Sequence, residues 1–323
     1  MSSCLITGGN GFIGKHLVHY LLRQGRYDRI YVLDIVHSDF FHPAVIQLQA
    51  DIREPLSLKL PEDCTVCFHL AAIAKEPGFT WEEYFSVNHA GTRNLCVALR
   101  NSPVCNVVFT STMMVYRAGE ARREETSLAC PDTAYGISKL LAEETLWAWL
   151  QMNQNRRLRI VRPGIVFGPG ENGNFTRLYR ALRFGVFHYV GRRTTVKSSI
   201  YVKDLVRCLD FLSSDGGQDV IFNAVLPQTH TIEDICRTFQ DVFNFRRVIP
   251  VLPYRLSLAG AYAFELVDAI GLHTPIHHRR IEKLYHSTDL SAQRLCNSGF
   301  RFEFDLRSAI SDWKASCHPD DIF

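Results

Sequence analysis

The sequence predicts an α/β fold, in which a doubly wound parallel sheet carries a smaller, mixed α/β lobe at its C-terminal side. Two observations lead to this prediction. Short β-rich runs alternate with helical stretches through the first two thirds of the chain, which is the order that parallel βαβ units require. A cluster of glycine and proline over residues 168–173 then ends the alternation, and the remainder of the chain is mixed.

The elements follow from local patterns in chain order. Each predicted strand is a short apolar or β-branched run, and the helices of the sheet region connect one strand to the next. Strands are expected at Cys4–Thr7, Ile30–Asp34, Val45–Gln49, Val66–Leu70, Asn106–Ser111 and Arg159–Arg162. Helices are expected at Phe12–Gln24, Tyr84–Arg100, Ala134–Asn153, Thr231–Phe243 and Ser257–Ile270.

Composition narrows the function classes. The chain has 323 residues, of which 46% are hydrophobic and 21% charged, values that are ordinary for a globular protein. The net charge of +3 argues against a dedicated nucleic-acid binder. We expect a reduced, cytoplasmic protein without a membrane span, because there is no secretory start, no long uncharged apolar stretch and no regular spacing of the ten cysteines. The histidines lack the spacing of metal ligands, so no metal site is expected.

A glycine-rich turn joins the first strand to the first helix. Gly8, Gly11 and Gly14 allow a tight turn and let the backbone approach a pyrophosphate, while the helix N-terminus offers unpaired N–H groups. Asp34 ends the next strand, where a carboxylate can bind the adenosine ribose hydroxyls and repel a 2′-phosphate. The Asp51–Ile52 pair is placed to meet the adenine. These features predict a Rossmann site for NAD rather than NADP.

The same features suggest how the chain divides. Residues 1–167 and 198–225 are predicted to form the NAD-binding Rossmann domain, and residues 168–197 and 226–323 a substrate-binding lobe. The two parts interleave in this prediction because the strand at Tyr201 is expected to return to the sheet after the first excursion.

A second set of residues gives a resemblance to a known family. Tyr135 and Lys139 are four apart on a predicted helix, so both project from one face, and Thr112 ends the preceding strand. With the glycine turn and Asp34, the sequence resembles the NAD-dependent epimerase/dehydratase family of the extended short-chain dehydrogenase/reductase superfamily. Further support comes, in order, from His69-Leu70-Ala71-Ala72, Asn88 with Gly91-Thr92, Ser111-Thr112, Arg162-Pro163-Gly164 and Tyr201-Val202-Lys203-Asp204-Leu205.

The resemblance implies a role for each of these residues. Tyr135 is implied as the general base and acid, Lys139 as the group that tunes it and holds the nicotinamide ribose, and Thr112 as a hydrogen-bond partner of the substrate oxygen. An ammonium and a positive nicotinamide nearby would lower the tyrosine pKa from its usual value near 10. The implied cofactor-binding residues are Gly8, Gly11, Phe12, Ile13, Gly14, Asp34, Asp51, Ile52, Leu70, Ala71, Ala72, Asn88, Tyr135, Lys139 and Pro163.

The residues that follow Thr112 distinguish among the reactions of the family. Met113 and Met114 stand where the dehydratase branch carries an acidic pair, and a thioether exchanges no proton, so elimination of water is disfavoured. The remaining reactions are 4-epimerisation through a transient 4-keto intermediate and net reduction or oxidation of a keto-sugar or hydroxysteroid-like substrate. Met113 and Ile165 depart from the usual 4-epimerase residues and favour the second. A non-catalytic dinucleotide sensor is less favoured, since Tyr135 and Lys139 are both present.

Basic residues of the second half predict an anionic substrate, a nucleotide diphosphate sugar. Lys197 stands where the family usually has an arginine, and Arg279 or Arg280 precedes Asp289 by a spacing typical of another. Guanidinium groups recognise phosphate well. The predicted substrate-binding residues are Thr112, Met113, Asn174, Arg177, Lys197 and Arg279. The resemblance also implies a homodimer built on the Tyr84–Arg100 and Ala134–Asn153 helices.

Overall fold

The computed structural model describes residues 2–38, 40–218, 220–269 and 278–316, without the side chains of residues 264–269 and 279. The strands are β1 (Ser3–Thr7), β2 (Arg29–Asp34), β3 (Val45–Gln49), β4 (Cys64–His69), β5 (Asn106–Thr110), β6 (Gly119–Arg123), β7 (Arg157–Pro163), β8 (Ile165–Phe167), β9 (Tyr189–Val190), β10 (Ser199–Tyr201), β11 (Ile221–Ala224), β12 (Val251–Leu252) and β13 (Thr288–Leu290). The helices are α1 (Phe12–Gln24), α2 (Trp81–Tyr84), α3 (Gly91–Ala98), α4 (Ala134–Gln151), α5 (Asn174–Phe184), α6 (Val202–Ser214), α7 (Ile232–Phe243), α8 (Tyr254–Ala269), α9 (His278–Tyr285), α10 (Gln293–Asn297) and α11 (Leu306–Ser316).

Seven parallel strands form the central sheet in the order β11-β7-β5-β4-β1-β2-β3. The chain enters at β1, winds outward through β2 and β3, crosses back to β4 on the other side of β1, and continues through β5 and β7 to β11. The winding direction therefore reverses between β1 and β4. In sheets of this type ligands bind outside the carboxyl ends of the strands at that point. The predicted doubly wound α/β sheet is confirmed.

Helices cover both faces of the sheet. Leu17 of α1 and Leu209 of α6 pack against one face, and Leu146 and Trp149 of α4 pack against the other. Because both faces are buried, the central strands are almost continuously apolar. A separate, largely aromatic core joins α5, α7 and α11, and Phe12 at the start of α1 contacts it. The second core therefore lies against the carboxyl edge of the sheet, where α1 begins.

Two predicted elements differ from the structure. The expected helix Tyr84–Arg100 is interrupted by a π-helical segment, Phe85–Ala90, which contains Asn88. The strand at Tyr201 does not return to the central sheet, because β10 pairs with β8 in a separate two-stranded sheet. The seventh position of the central sheet is taken instead by β11, which the sequence analysis did not predict. Pro163 ends β7, and after it the chain leaves the sheet as β8.

The helices of the described ranges are too short or too polar for a bilayer to be crossed by any of them. The same residues contain no group of three histidine, cysteine, aspartate or glutamate side chains arranged to hold a metal ion.

Candidate active site

The glycine turn sits at the carboxyl end of β1. Gly8 has a φ of +71°, and a Cβ there would lie 2.6 Å from the backbone nitrogen of Ala71. A Cβ on Gly14 would overlap the carbonyl oxygen of Gly8. Gly11 caps α1 without any side-chain hydrogen bond, so the first N–H groups of the helix, among them those of Phe12 and Ile13, remain for a ligand. The turn therefore forms the close-approach cradle that a pyrophosphate requires.

Asp34 ends β2 beside this cradle. One carboxylate oxygen accepts from the backbone N–H of Asn10 (2.9 Å), and the other accepts from that of Val36 (3.0 Å). Each carboxylate oxygen can accept a further hydrogen bond, as from ribose hydroxyls. Asn10 was missed by the sequence reasoning, although its place inside the glycine turn was a signal. It positions the carboxylate at the edge of the cradle.

Asp51 and Ile52 take different roles. Asp51 forms an ion pair with Arg53, whose hydrogen bonds hold the pKa of the carboxyl below its usual value. Ile52 is buried, and a Cβ on Gly91 would lie 2.8 Å from it. Ile52 thus packs α3 against the loop that follows β3, and contact with adenine by either residue remains a prediction.

His69 locks the ends of β1 and β4 together. Its Nδ1 lies 2.7 Å from the Thr7 hydroxyl and its Nε2 lies 2.9 Å from the Thr92 hydroxyl. Thr92 donates to the carbonyl of Asn88, so it accepts from Nε2–H, and Nδ1 accepts from Thr7. Burial lowers the pKa of His69 to about 3, and the ring stays neutral. It is a structural group rather than an acid.

The segment after β4 is tied to the helix that carries Tyr135. Asn88 accepts from the N–H of Ile73 and donates to its carbonyl and to the hydroxyl of Ser138. Ser138 in turn donates to the carbonyl of Tyr135. Because both N–H groups of the Asn88 amide donate within the protein and its oxygen accepts from Ile73, we interpret it as a positioning residue. It holds the Leu70–Ile73 segment, which includes Ala71 and Ala72, along the carboxyl edge.

Thr112 and Tyr135 meet at the end of β5. Their hydroxyl groups form a hydrogen bond, and both residues are buried. This approach depends on Gly136, since a Cβ there would overlap the carbonyl oxygen of Met114. Gly136 lets the first turn of α4 contact the 3₁₀ turn Met113–Val115. The sequence analysis missed this glycine, which directly follows the tyrosine.

Lys139 lies one turn further along α4. The residue is 1% exposed, and its Nζ lies 4.0 Å from the centre of the Phe109 ring. An ammonium held in this way has N–H groups to donate, and the hydroxyls of a nicotinamide ribose would accept them. The residues present therefore fit a dinucleotide.

The pKa values oppose the simple expectation for the tyrosine. Burial raises the pKa of Tyr135 to about 12, and the hydrogen bond from Thr112 only partly offsets this. Burial also lowers the pKa of Lys139 to about 7, although the Glu143 carboxylate favours its charged form. The predicted lowering of the tyrosine pKa involves the ammonium and the positive nicotinamide together; in the protein alone, burial dominates and the pKa is high. Ionisation of Tyr135 therefore requires additional positive charge in the site.

Replacing Lys139 by methionine is expected to stabilise the cofactor-free protein, more at pH 6 than at pH 9. The folded-state pKa of about 7 lies below the unfolded value near 10.5, so the cost of burying the ammonium is full below pH 7 and falls as the pH rises. Each kcal/mol gained raises Tm by about 1.5 °C in a protein of 323 residues. Melting curves at both pH values test this. Lys59→Met, at an exposed site, is the control, and an equal gain at both pH values would contradict the account.

A buried polar network underlies the active site. Glu143, one turn after Lys139, accepts two hydrogen bonds from Arg162 (2.9 and 2.5 Å) and one from Ser111 (2.5 Å). Arg162 also donates to the Tyr116 hydroxyl (2.7 Å). These side chains connect β5, β7 and α4 under the catalytic edge. The Arg162-Pro163 motif was recognised in the sequence, but its ion-pair partner was not.

Removing one member of this pair is expected to be costly. Arg162→Met leaves the Glu143 carboxylate buried without its partner, which lowers the free energy of unfolding by about 3–5 kcal/mol. The double variant Glu143→Met, Arg162→Met removes both charges and recovers most of the loss. Urea denaturation of the three proteins checks this, and a double variant as unstable as the single one would contradict it.

The predicted substrate residues fall into two groups. Arg177 and Asn174 lie on the first turns of α5 and bond to each other, and the pKa of Arg177 is lowered by burial and by the charge of Arg280. A guanidinium in this position can bind an anion. Lys197 instead is buried and donates to the carbonyls of Lys283 and His286 at the end of α9. The side chain of Arg279 lies outside the described residues, and Met113 and Ile165 are half-buried.

The comparison with protein families gives the clearest match. The model of the NAD dependent epimerase/dehydratase family covers residues 4–224, a range that includes the glycine turn, Asp34, Thr112, Tyr135 and Lys139. The chain belongs to this family. It is an NAD-dependent enzyme of the extended short-chain dehydrogenase/reductase superfamily, which confirms the predicted family, cofactor and enzyme class.

Two curated relatives of this chain are 4-epimerases. It is 29% identical to N-acetyl-α-D-glucosaminyl-diphospho-ditrans,octacis-undecaprenol 4-epimerase of Escherichia coli O157:H7, over 95% of this chain and 92% of the relative. It is 32% identical to UDP-glucose 4-epimerase of Vibrio cholerae, over 66% of this chain and 71% of the relative. The crystal structure of UDP-glucuronic acid 4-epimerase from Bacillus cereus with NAD has the same fold, with a TM-score of 0.74 at 19% identity over 96% of both chains. These relatives support a 4-epimerase function.

Proposed function

We propose that this protein interconverts two C4 epimers of a diphosphate-linked sugar through a transient 4-keto intermediate. The observation that carries the proposal is the contact between Thr112 and Tyr135, with Lys139 one helical turn after the tyrosine. Two methionines directly follow Thr112. Oxidation and re-reduction at one carbon need a single proton acceptor and donor. Elimination of water would need a further acid, and Met113 and Met114 supply none.

The side chains divide the work at C4. Tyr135 takes the proton of the C4 hydroxyl and later returns it, while Thr112 holds the same oxygen. NAD, when bound, supplies the hydride acceptor. Lys139 binds the nicotinamide ribose, and the positive nicotinamide would oppose the burial that raises the pKa of Tyr135. The glycine turn with the start of α1 would hold the pyrophosphate, and Asp34 the adenosine ribose.

The diphosphate of the substrate has its best partners on α5 and α9. Burial and the charge of Arg280 lower the pKa of Arg177, and a diphosphate bound to Arg177 would favour its charged form. Asn174 adds an amide beside Arg177. We propose these three residues, with Met113 lining the sugar pocket, as the substrate-binding set. Lys197 fits a positioning role better, since it caps the carbonyls at the end of α9.

The group beyond the diphosphate has two candidates. The sequence resemblance favours a nucleotide, as in the UDP-glucose 4-epimerase of Vibrio cholerae. The relative that covers 95% of this chain instead carries undecaprenol in its name. Either carrier presents the same diphosphate to Arg177, so both belong in the test of function.

The proposal is tested by incubating the pure protein with UDP-glucose, UDP-N-acetylglucosamine and N-acetylglucosaminyl diphosphate on a short prenol. We expect at least one of them to form its C4 epimer, with the same final ratio from either epimer and no net absorbance change at 340 nm. If none of these sugars is converted, the substrate proposal fails.

One feature favours a second candidate, a net oxidoreductase of a keto-sugar or hydroxysteroid-like substrate. Met113 and Ile165 give this side of the pocket an apolar character, and Met113 packs among Val115, Tyr116 and Leu290. This candidate predicts a stoichiometric absorbance change at 340 nm and an exchangeable cofactor. The absorbance measurement above therefore separates the two. A non-catalytic sensor has less support, because Tyr135 and Lys139 both point to chemistry.

Three further predictions, on the domain division, the oligomeric state and the cellular location, belong to this proposal. Residues 1–167 with 198–225 would form the NAD-binding part, and the remaining ranges the substrate lobe. A homodimer would use the region predicted as the helices Tyr84–Arg100 and Ala134–Asn153. Trp81 of α2 and Val97 of α3 are exposed there. The expected location is the cytoplasm.

A further inference from the structure

The C-terminal half carries an exposed surface that is both apolar and basic, which we call the lobe patch. Val248 is 93% exposed and Leu256 is 64% exposed. Single exposed apolar residues are ordinary, but a contiguous group of them marks an interaction site. The apolar members of the lobe patch are Phe184, Val186, Val248, Val251, Leu252, Leu256 and Tyr262.

Strand pairing makes this surface continuous. β9 and β12 pair in parallel with Tyr189 opposite Val251, and the N–H of Tyr189 donates to the carbonyl of Pro250 (2.9 Å). A Cβ on Gly185 would meet the guanidinium of Arg247, which places the end of α5 beside the chain that enters β12. α8 begins two residues after β12. The end of α5, β12 and the start of α8 therefore share one surface.

The first half of α8 has an unusual polarity for a surface helix. Its exposed positions are Arg255, Leu256, Ala259, Tyr262 and Ala263, which follow helical spacing along one side. Surface helices usually turn charged side chains toward water and apolar ones toward the core. Here the outward stripe is apolar apart from one arginine, so water is not the environment that it fits.

The charge of the lobe patch is of one sign. Residues 183–188 and 246–263 contain four arginines and no aspartate or glutamate. The arginines are Arg183, Arg246, Arg247 and Arg255. Guanidinium groups bind lipid phosphates, and apolar side chains enter the boundary between headgroups and acyl chains. The combination is complementary to an anionic bilayer surface.

The lobe patch is connected to the proposed diphosphate site through α5. Arg177 and Phe184 are seven residues apart, which places them on the same side of the helix and about 10 Å from each other. A diphosphate held by Arg177 would therefore lie on the same side of α5 as the lobe patch, about two helical turns from Phe184. A lipid chain attached to that diphosphate needs an apolar exit at this distance.

We propose that the lobe patch docks this protein onto an anionic phospholipid bilayer, where Arg177 meets the diphosphate of a sugar carried by a membrane lipid. The substrate part rests on the proposed 4-epimerase function, whereas docking does not. The occupant is a bilayer rather than a second copy of the chain, because four arginines facing their own symmetry mates would repel.

Sedimentation with vesicles tests the docking step. We expect the full-length protein to bind vesicles of phosphatidylcholine mixed with phosphatidylglycerol and to bind much less to phosphatidylcholine alone. Val248→Asp and Leu256→Asp should each lower the partition at least about tenfold, because a carboxylate at the boundary is poorly tolerated and repels anionic lipid. Met152→Asp is the matched control, since Met152 is 57% exposed and follows the far end of α4.

The outcomes separate the alternatives. Docking is overturned if the wild-type protein stays in the supernatant, or if Met152→Asp loses as much vesicle binding as the patch variants. It is also overturned if the patch variants keep their vesicle binding and only show a lower mass by light scattering, since the lobe patch would then join two copies of the chain. Val248→Asp should retain turnover of a short-prenol substrate in solution and lose that of a long-chain substrate in vesicles. Wild-type protein that binds vesicles but converts no diphosphate sugar would defeat the proposed function and leave docking standing.

Discussion

Replacing Tyr135 by phenylalanine is expected to lower kcat by about 10²–10⁴-fold while NAD binding is retained. The ring fills the same buried position beside Thr112, but no group remains to exchange the C4 hydroxyl proton. Turnover and cofactor fluorescence, measured on the same preparation, check the two parts separately. Tyr20→Phe is the matched control, because it removes a hydroxyl from α1, which packs in a different core from Tyr135.

A small effect would assign the proton transfer to another group. If Tyr135→Phe keeps kcat within about threefold of the wild-type value, Tyr135 is not the acid and base. If NAD binding is lost as well, the phenylalanine has disturbed α4, and Thr112→Val then provides an independent test of the hydroxyl pair. The raised pKa of Tyr135 also predicts that turnover increases with pH until the tyrosine ionises in the complex.

Replacing Gly14 by alanine is expected to remove NAD binding and to destabilise the protein by about 1–3 kcal/mol or more. The added Cβ would overlap the carbonyl oxygen of Gly8 and lie 2.5 Å from the Cα of Gly9. Both atoms belong to the backbone, so no side-chain rotation relieves the clash. The start of α1 must then move away from β1, which opens the pyrophosphate cradle.

Thermal melting with and without NAD measures both consequences. A ligand that binds only the folded state raises Tm, so NAD should stabilise the wild-type protein and leave Gly14→Ala unchanged. Gly216→Ala is the control, because a Cβ at that position meets nothing within 4 Å. An equal NAD-induced shift in Gly14→Ala and the wild type would show that the close packing of this turn is not required for binding.

Most of the sheet could be predicted from the sequence because its strands are short, apolar and separated by helices. The predictions from Cys4–Thr7 to Arg159–Arg162 each correspond to a strand, with ends that differ by two residues at most. β11 was missed because it is a run of only four residues, and α6, the helix that precedes it, was not predicted either. The strand at Tyr201 was given the wrong partner, since pairing is a non-local property that an apolar run does not encode.

The candidate site, like the sheet, could be predicted only in part from the sequence. The spacing of Tyr135 and Lys139 was enough to place both on one face of α4. The sequence could not reveal that loss of hydration dominates their pKa values, because burial depends on what packs around them. Gly136 and the Glu143–Arg162 pair were missed for the same reason, since their roles arise from contacts between elements far apart in the chain.

The most direct test of the account follows the hydrogen atom at C4. A diphosphate sugar carrying deuterium at C4 should give both epimers with the label still at C4, in unlabelled water and without net absorbance change at 340 nm. That result requires removal and return of the same hydrogen at one carbon, as the arrangement of Thr112, Tyr135 and Lys139 predicts. Loss of the label to solvent, or a stoichiometric absorbance change without the second epimer, would contradict a 4-epimerase.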